Sequence, residues 1–189
     1  VAFSYRQIVP ICLAAALCAG AGRADAQTSE LKKPFAAFSA SAQSLRDSVV
    51  ARARGQIGTR YKLGGTTPNR ALDCSGLVKV VMSAFNVILP RTARQQATVG
   101  EEIPKDLAAL QPGDLLTFGK GKNISHIGIY VGDGRMVHAS TSKRQVIETT
   151  MNPRSPLIKQ WKGVRRVVDV EKAFALLDSS TLAIADTLR

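Results

Sequence analysis

Residues 111–139 read QPGDLLTFGKGKNISHIGIYVGDGRMVHA, and this stretch decides the fold. Gln111-Pro112-Gly113-Asp114 has the composition of a turn. It leads into Leu115-Leu116-Thr117-Phe118, and Ser125 to Val131 and Arg135 to Ala139 follow as further short runs separated by Gly and Lys. Short runs rich in β-branched and aromatic residues, bounded by turn residues, are read as strands. Downstream, Gln145 to Thr149 and Val164 to Val168 repeat the pattern.

Upstream the period changes. Leu45, Val49, Ala53 and Ile57 recur every four residues, which predicts a helix from Ser44, interrupted by Gly55 and closed by Gly58. Gly64-Gly65-Thr66-Thr67-Pro68-Asn69 is a loop by its turn residues. A second helix is predicted from Cys74 to Phe85, with Leu77, Val81 and Phe85 on one face and Asp73 as its N-cap. Pro90 bars its continuation, and Arg91 to Gln96 adds a further turn or two. Helices first and strands afterwards predict an α+β domain, its N-terminal helices packed on an antiparallel sheet.

The chain has 189 residues, 45% of them hydrophobic, enough for one domain with a real core and extensions at its ends. Twenty-six Lys and Arg against fourteen Asp and Glu give a net charge of +12. This composition excludes a wholly disordered chain, a collagen-like repeat and a multi-span membrane protein. It favours an acidic partner: nucleic acid, anionic lipid or a carboxylate-rich polymer. The clusters Arg46-Arg52-Arg54-Arg60-Lys62 and Arg154-Lys159-Lys162-Arg165-Arg166 are most simply solvated faces, available as a diffuse docking surface.

The ends read differently from the middle. A basic start, an apolar run from Ile8 to Ala19, and Ala24-Asp25-Ala26 before Gln27 match a secretory signal peptide over 1–26. The apolar run is shorter than the roughly 20 residues that span a bilayer as a helix, so no stable membrane span is expected after cleavage. Cys12 and Cys18 follow Ile11 and Leu17, where lipoprotein processing prefers a small residue. Cleavage after Ala26 would remove Arg6, Arg23 and Asp25, leaving 24 basic and 13 acidic side chains, net +11, and one cysteine, Cys74. Residues 27–43 read as a tether and 44–169 as the folded domain. In 170–189, Phe174, Leu177, Thr181, Ile184 and Leu188 are spaced for an amphipathic helix or tail.

The chemistry-bearing residues are few. Cys74 begins a predicted helix, where the dipole and free N–H groups favour a thiolate. The only histidines are His126 and His138. A nucleophilic thiol needs a base and the base an orienting group, which one Cys and two His supply in kind. The same three residues could serve a zinc site, although no paired-Cys or closely spaced ligand pattern accompanies them. Hairpin geometry tests their compatibility. A two-residue loop, Asp133-Gly134, pairs 132 with 135 and sends the histidines to opposite faces. A three-residue loop, Gly132-Asp133-Gly134, with Gly134 in a G1 bulge, pairs 128 with 138 and makes the imidazoles diagonal neighbours on one face. Gly134 suits the second, which is the expectation.

Leu72-Asp73-Cys74-Ser75-Gly76-Leu77-Val78, Leu89-Pro90-Arg91-Thr92, Gln111-Pro112-Gly113-Asp114-Leu115, His126-Ile127-Gly128-Ile129-Tyr130-Val131-Gly132 and Val137-His138-Ala139 together resemble the NlpC-type cysteine peptidases of bacterial cell walls. The similarity runs from about Val49 to Val168, with Cys-to-His and His-to-His separations of 52 and 12 residues. The resemblance implies a papain-like fold and endopeptidase action on peptidoglycan stem peptides or cross-bridges, next to a diamino acid such as meso-diaminopimelate. It implies Cys74 as nucleophile, His126 as base and His138 as orienting member, with Tyr61, Asp73 and Ser75 lining the substrate site. It also implies an exported enzyme of the periplasm or cell envelope.

Plainer roles stand beside these. Asp73 is an N-cap, Ser75 a first-turn hydroxyl, Tyr61 a residue closing a loop over the core, and Arg91 a support for its own loop ahead of a contact for a substrate carboxylate. The chemistry needs neither cofactor nor metal. An amidase on the same fold, or a basic wall-binding scaffold, is the competing function. Nucleic acid is not expected as a partner: only the charge argues for it. No wall-binding repeat is visible, so targeting falls to the domain, the tether, the tail or a protein acting as activator or adaptor.

Overall fold

The computed structural model describes residues 40–168. The signal peptide expected at 1–26, most of the tether and the tail at 170–189 lie outside the described residues.

Helix α1, described over 40–54, is already formed ahead of Ser44 and buries Ala42, Val49, Val50 and Ala53. Gly55 ends it, so Ile57, the last member of the predicted stripe, leaves the helical face and stands 47% exposed. The predicted loop after Gly64 contains a small hairpin, β1 (Thr66–Thr67) against β2 (Ala71–Leu72). Helix α2 (Cys74–Ser83) follows at once, and Leu77, Val78, Val81 and Met82 are fully buried along one face. Each such side chain contributes about 1.5–3 kcal/mol by leaving water. The turn predicted after Pro90 is helix α3 (Ala93–Gln96), with Thr92 as its N-cap.

The remaining strands are β3 (Glu101–Ile103), β4 (Leu115–Lys120), β5 (Asn123–Gly132), β6 (Arg135–Ser140), β7 (Gln145–Thr150) and β8 (Trp161–Arg166). They form one antiparallel sheet in the order β3-β8-β4-β5-β6-β7. Successive side chains alternate between its faces. Leu115, Ile127, Ile129, Val137, Ala139 and Val146 join the core shared with α1 and α2. Leu116, Phe118, Tyr130, Met136 and Val164 face the other way, into a second cluster with Met151 and Ile158. The predicted α+β architecture is therefore present. Strand β8 begins at Trp161, three residues ahead of Val164, because the 3-10 turn at Ile158–Gln160 delivers the chain straight into pairing with β4. Strand β3 was not predicted. Its two glutamates look like a solvated turn until Glu102 meets Arg165 across the pair at 3.0 Å.

The basic clusters are not wholly solvated faces. Arg54 and Arg135 both hold Glu148, at 3.0 and 2.8 Å, and Arg166 holds the buried Asp114 at 2.8 Å. No helix among the described residues is long and apolar enough to cross a membrane.

The β5–β6 hairpin corrects the expected loop and keeps its consequence. Asp133 (φ 52) and Gly134 (φ 63) are both left-handed, as a two-residue type I′ turn requires, and Gly132 pairs with Arg135. The loop therefore has two residues, not three. The extra residue is Val131, left without a partner where the register shifts between Tyr130 and Gly132. Below that bulge Ile129 pairs with Val137, which sets Gly128 opposite His138. A Cβ on Gly128 would stand 3.1 Å from the Cβ of His138.

Candidate active site

Cys74 is the first residue of α2, and the chain around it is tightly tied. Asp73 caps the helix: its Oδ1 accepts from the Gly76 N–H at 2.7 Å and its Oδ2 from the Gly64 N–H at 2.7 Å. The Asp73 N–H donates to Gly65 O at 3.1 Å. Gly76 lets the helix lie on that loop, since a Cβ there would fall 2.0 Å from Gly65 O. From the other side Gln96, fully buried, donates through Nε2 to Ser75 O at 3.0 Å and Pro90 O at 2.9 Å.

The sulfur of Cys74 meets β5 where the sheet opens. Tyr130 exchanges both backbone hydrogen bonds with the turn that leads into β4, through Gly113 N–H and Asp114 O. In an antiparallel ladder such pairs alternate, so Ile127, opposite Thr117, turns its N–H away from β4 and toward β6. Pairing of β5 with β6 stops at Ile129 and Val137. The Ile127 N–H is placed on the side of the sheet edge where it acts on the Cys74 sulfur as a hydrogen-bond donor.

The histidines stand on the two banks of this gap. His126 Nε2 and His138 Nδ1 lie 2.9 Å apart, with the rings edge to face. His138 Nε2 lies 3.1 Å from Thr149 Oγ1 on β7. The second nitrogen of His126, Nδ1, is the one this chain of contacts does not use.

Burial dominates the electrostatics. It lowers His126 to about 4, and burial together with its neighbour lowers His138 to about 3, so both imidazoles are neutral near pH 7. Burial, then the charge of Asp73, pushes the Cys74 thiol up; the N–H groups of Ser75, Ile127 and Cys74 itself pull the other way without offsetting this. This runs against the thiolate expected from the helix start: burial and Asp73 favour the protonated thiol. Burial pushes the Tyr61 phenol up as well, with Cys74 and Asp73 adding to it. Burial alone would raise the Asp73 carboxyl, but hydrogen bonds from Arg91, Gly76 and Gly64 overcome it and hold Asp73 below the usual carboxylate range.

A groove of about 860 Å³ opens in front of the sulfur. Tyr61, Asp73, Cys74 and Ser75 all line it, together with Arg91, Thr92 and Arg94 and the β5 residues leading to His126. Arg91, read from the sequence as loop support ahead of a substrate contact, grips Asp73 at 2.6 and 3.0 Å and Ser75 Oγ at 2.9 Å. Its signal was present in Leu89-Pro90-Arg91-Thr92, but a pairing across 18 residues has no periodicity to reveal it. Thr149 carried no signal at all. A half-buried thiol at a helix start, lining an open groove and in reach of the peptide N–H that follows a paired imidazole, has the groups that acyl transfer calls on.

The model of the NlpC/P60 family matches residues 58–166. The chain belongs to that family. Among NlpC/P60-related proteins, "Probable endopeptidase NlpC" of Escherichia coli (strain K12) is 49% identical over 89 residues, 46% of this chain and 56% of the relative. "Gamma-DL-glutamyl hydrolase" of Bacillus subtilis (strain 168) is 36% identical over 148 residues, 73% of this chain and 34% of the relative. The solved structure of the peptidoglycan hydrolase RipB from Mycobacterium tuberculosis aligns with a TM-score of 0.57 at 27% identity, covering 69% of this chain and 68% of that one. The chain thus spans between a third and just over half the length of these two curated relatives. That alignment agrees with the α+β fold of helices packed on an antiparallel sheet.

Proposed function

We propose that the chain is a cysteine endopeptidase that hydrolyses peptide bonds in peptidoglycan stem peptides or cross-bridges, next to a diamino acid, with Cys74, His126 and His138 as its catalytic residues. The observation that carries this reading is the junction at the open gap of the sheet. Cys74 meets the peptide that follows His126, and His126 is itself hydrogen-bonded to His138. Family membership and the printed names of the relatives support the substrate class.

In this reading His126 Nδ1 takes the thiol proton as the sulfur attacks the scissile carbonyl. The C–N bond breaks as His126 returns that proton to the departing amine, leaving a thioester on Cys74. Water then attacks the thioester, giving its proton to His126, and the acyl product leaves as a carboxylic acid while the thiol is restored. His138 holds the His126 ring and disperses its charge. The Cys74 N–H is a donor for the developing oxyanion. Tyr61, Asp73 and Ser75 shape the groove for the stem peptide, and Arg91 holds the last two in place. The leader-like stretch before Gln27 supports export to the periplasm or cell envelope.

The test is mass spectrometry of soluble products after the full chain, or its Cys74→Ala variant, meets purified peptidoglycan. The expected result is new amino termini at diamino-acid residues, from the native chain only. Release of whole stem peptides from sugar would reassign the enzyme as an amidase. A folded chain that sediments with the wall and yields no Cys74-dependent product would overturn the catalytic reading in favour of a scaffold.

A further inference from the structure

The residues of the gap do not end at His138. His126, His138 and Thr149 occupy three successive strands, β5, β6 and β7. Gly128 stands opposite His138 in the register of β5 and β6, and His138 pairs with Ile147 on β7. His126 and Thr149 are therefore each two positions from the residue opposite His138, one on either side of it. All three side chains share one face, as diagonal neighbours within side-chain reach. Contacts of 2.9 and 3.1 Å join them into one row.

A neutral imidazole has one N–H and one bare nitrogen, so the donors in such a row must run head to tail. In one direction, His126 Nε2–H donates to His138 Nδ1 and His138 Nε2–H donates to Thr149 Oγ1, which leaves His126 Nδ1 bare. In the other, the Thr149 hydroxyl donates to His138 Nε2 and His138 Nδ1–H donates to His126 Nε2, which puts the proton on His126 Nδ1. Only the first direction gives His126 a site to receive a proton. It also survives that transfer: an imidazolium at His126 still donates through Nε2 to His138, whereas the reversed row would set two N–H groups against each other.

We propose that Thr149 is a positioning residue of this site, whose hydroxyl accepts from His138 Nε2–H and so selects the tautomer that leaves His126 Nδ1 free to act as the base. The proposal rests on the Cys74–His126 reading for its catalytic consequence, but the tautomer is a property of the protein alone. Valine in place of Thr149 keeps the β-branched shape and removes the acceptor, leaving the N–H of a His138 that is 4% exposed without its partner.

The chain contains two histidines, so labelling histidine with nitrogen-15 gives the ring signals of these two residues and no others. Long-range proton–nitrogen correlation spectra of the native chain, Thr149→Val and Thr149→Ser separate the outcomes. The native chain and the serine variant are expected to carry the proton on Nε2 of both rings. The valine variant is expected to shift His138 toward Nδ1–H and to lose about tenfold in kcat with KM unchanged. Serine is expected to restore both. A proton on His126 Nδ1 in the native chain, or unchanged spectra and kcat in the valine variant, would overturn the proposal. Because the spectra need no substrate, an inactive native chain with Nε2–H on both rings would count against the cleavage reading and leave the tautomer assignment supported.

Discussion

Arg91 closes a two-point ion pair on Asp73, Nη2 to Oδ2 at 2.6 Å and Nη1 to Oδ1 at 3.0 Å, and the same Nη1 reaches Ser75 Oγ at 2.9 Å. With the N–H groups of Gly64 and Gly76 already on it, the carboxylate is saturated from inside the protein. Asp73→Ala strands two backbone donors and a guanidinium together, and is expected to cost about 3 kcal/mol or more in a urea titration. Arg91→Met removes a partner whose side chain is 37% exposed and leaves the cap intact, so the expected loss is about 1 kcal/mol. Equal losses from the two would show that the Arg91 pairing, and not the cap, carries the energy. Because Asp73 is held below the usual carboxylate range, its contribution is complete above the unfolded value and is lost as pH falls through the folded one.

The histidines give a second acid dependence, in a different window. His126 and His138 are lowered from 6.5 to about 4 and about 3, so the unfolded chain binds more protons than the folded one from about pH 6.5 down to those values. Stability should climb with pH across that window, by at most about 1.4 kcal/mol per pH unit per histidine, and level off above 6.5. Urea midpoints at pH 4.5, 5.5, 6.5 and 7.5 measure this, and His138→Gln should shrink the slope. For the same reason kcat/KM should show no histidine limb between pH 5 and 7; an inflection near 6.5 would mean that His126 is solvated during turnover.

Alkylation reports directly on the thiol. Burial and Asp73 hold Cys74 above the ordinary thiol range, so the rate of reaction with iodoacetamide should rise throughout the neutral and mildly alkaline range without an acid plateau. Asp73→Asn should move the profile to lower pH. A rate already constant at pH 6 would establish a resting thiolate–imidazolium pair instead.

Gly76 and Gly64 separate close approach from backbone conformation. Alanine at 76 puts its Cβ 2.0 Å from a backbone oxygen that is itself pinned by Asp73, and should cost at least about 3 kcal/mol. Gly64 is left-handed (φ +81) with open space around it, so alanine there should cost only about 1–2 kcal/mol. Thermal melts of the two variants check the order; a milder Gly76→Ala would mean that the loop can retreat from α2.

Much of this was legible before any coordinates. The alternation in β4 to β7 and the four-residue spacing in α1 and α2 are local consequences of which side chains must leave water. The Asp73 cap and the start of α2 at Cys74 are equally local. What escaped was set by partners far along the chain. Glu101 and Glu102 become a strand only because Arg165 and Arg166 lie beside them in β8. Arg91 acquires its role from Asp73, and Thr149 from a histidine eleven residues away on another strand. The upward pull on the thiol was not foreseen because helix-start dipoles can be read from sequence, whereas burial cannot. The hairpin shows a further limit: the register was right, but the extra residue sat in β5 and not in the turn.

That extra residue, Val131, acts as a phase shifter between two independent pieces of machinery. On its far side is an ordinary type I′ turn, where other two-residue turns could be grafted without the histidines sensing the change. On its near side the order of side chains is committed. Deleting Val131 would join a regular ladder to a regular turn and give a hairpin with better backbone pairing. It would keep Tyr130 opposite Met136 and Gly128 opposite His138, so both histidines would stay on one face. The same regularity reached by slippage, with Val131 kept and paired to Met136, would set Ile129 opposite His138 and send the two histidines to opposite faces, so this hairpin tolerates loss of its extra residue but not its absorption into the ladder.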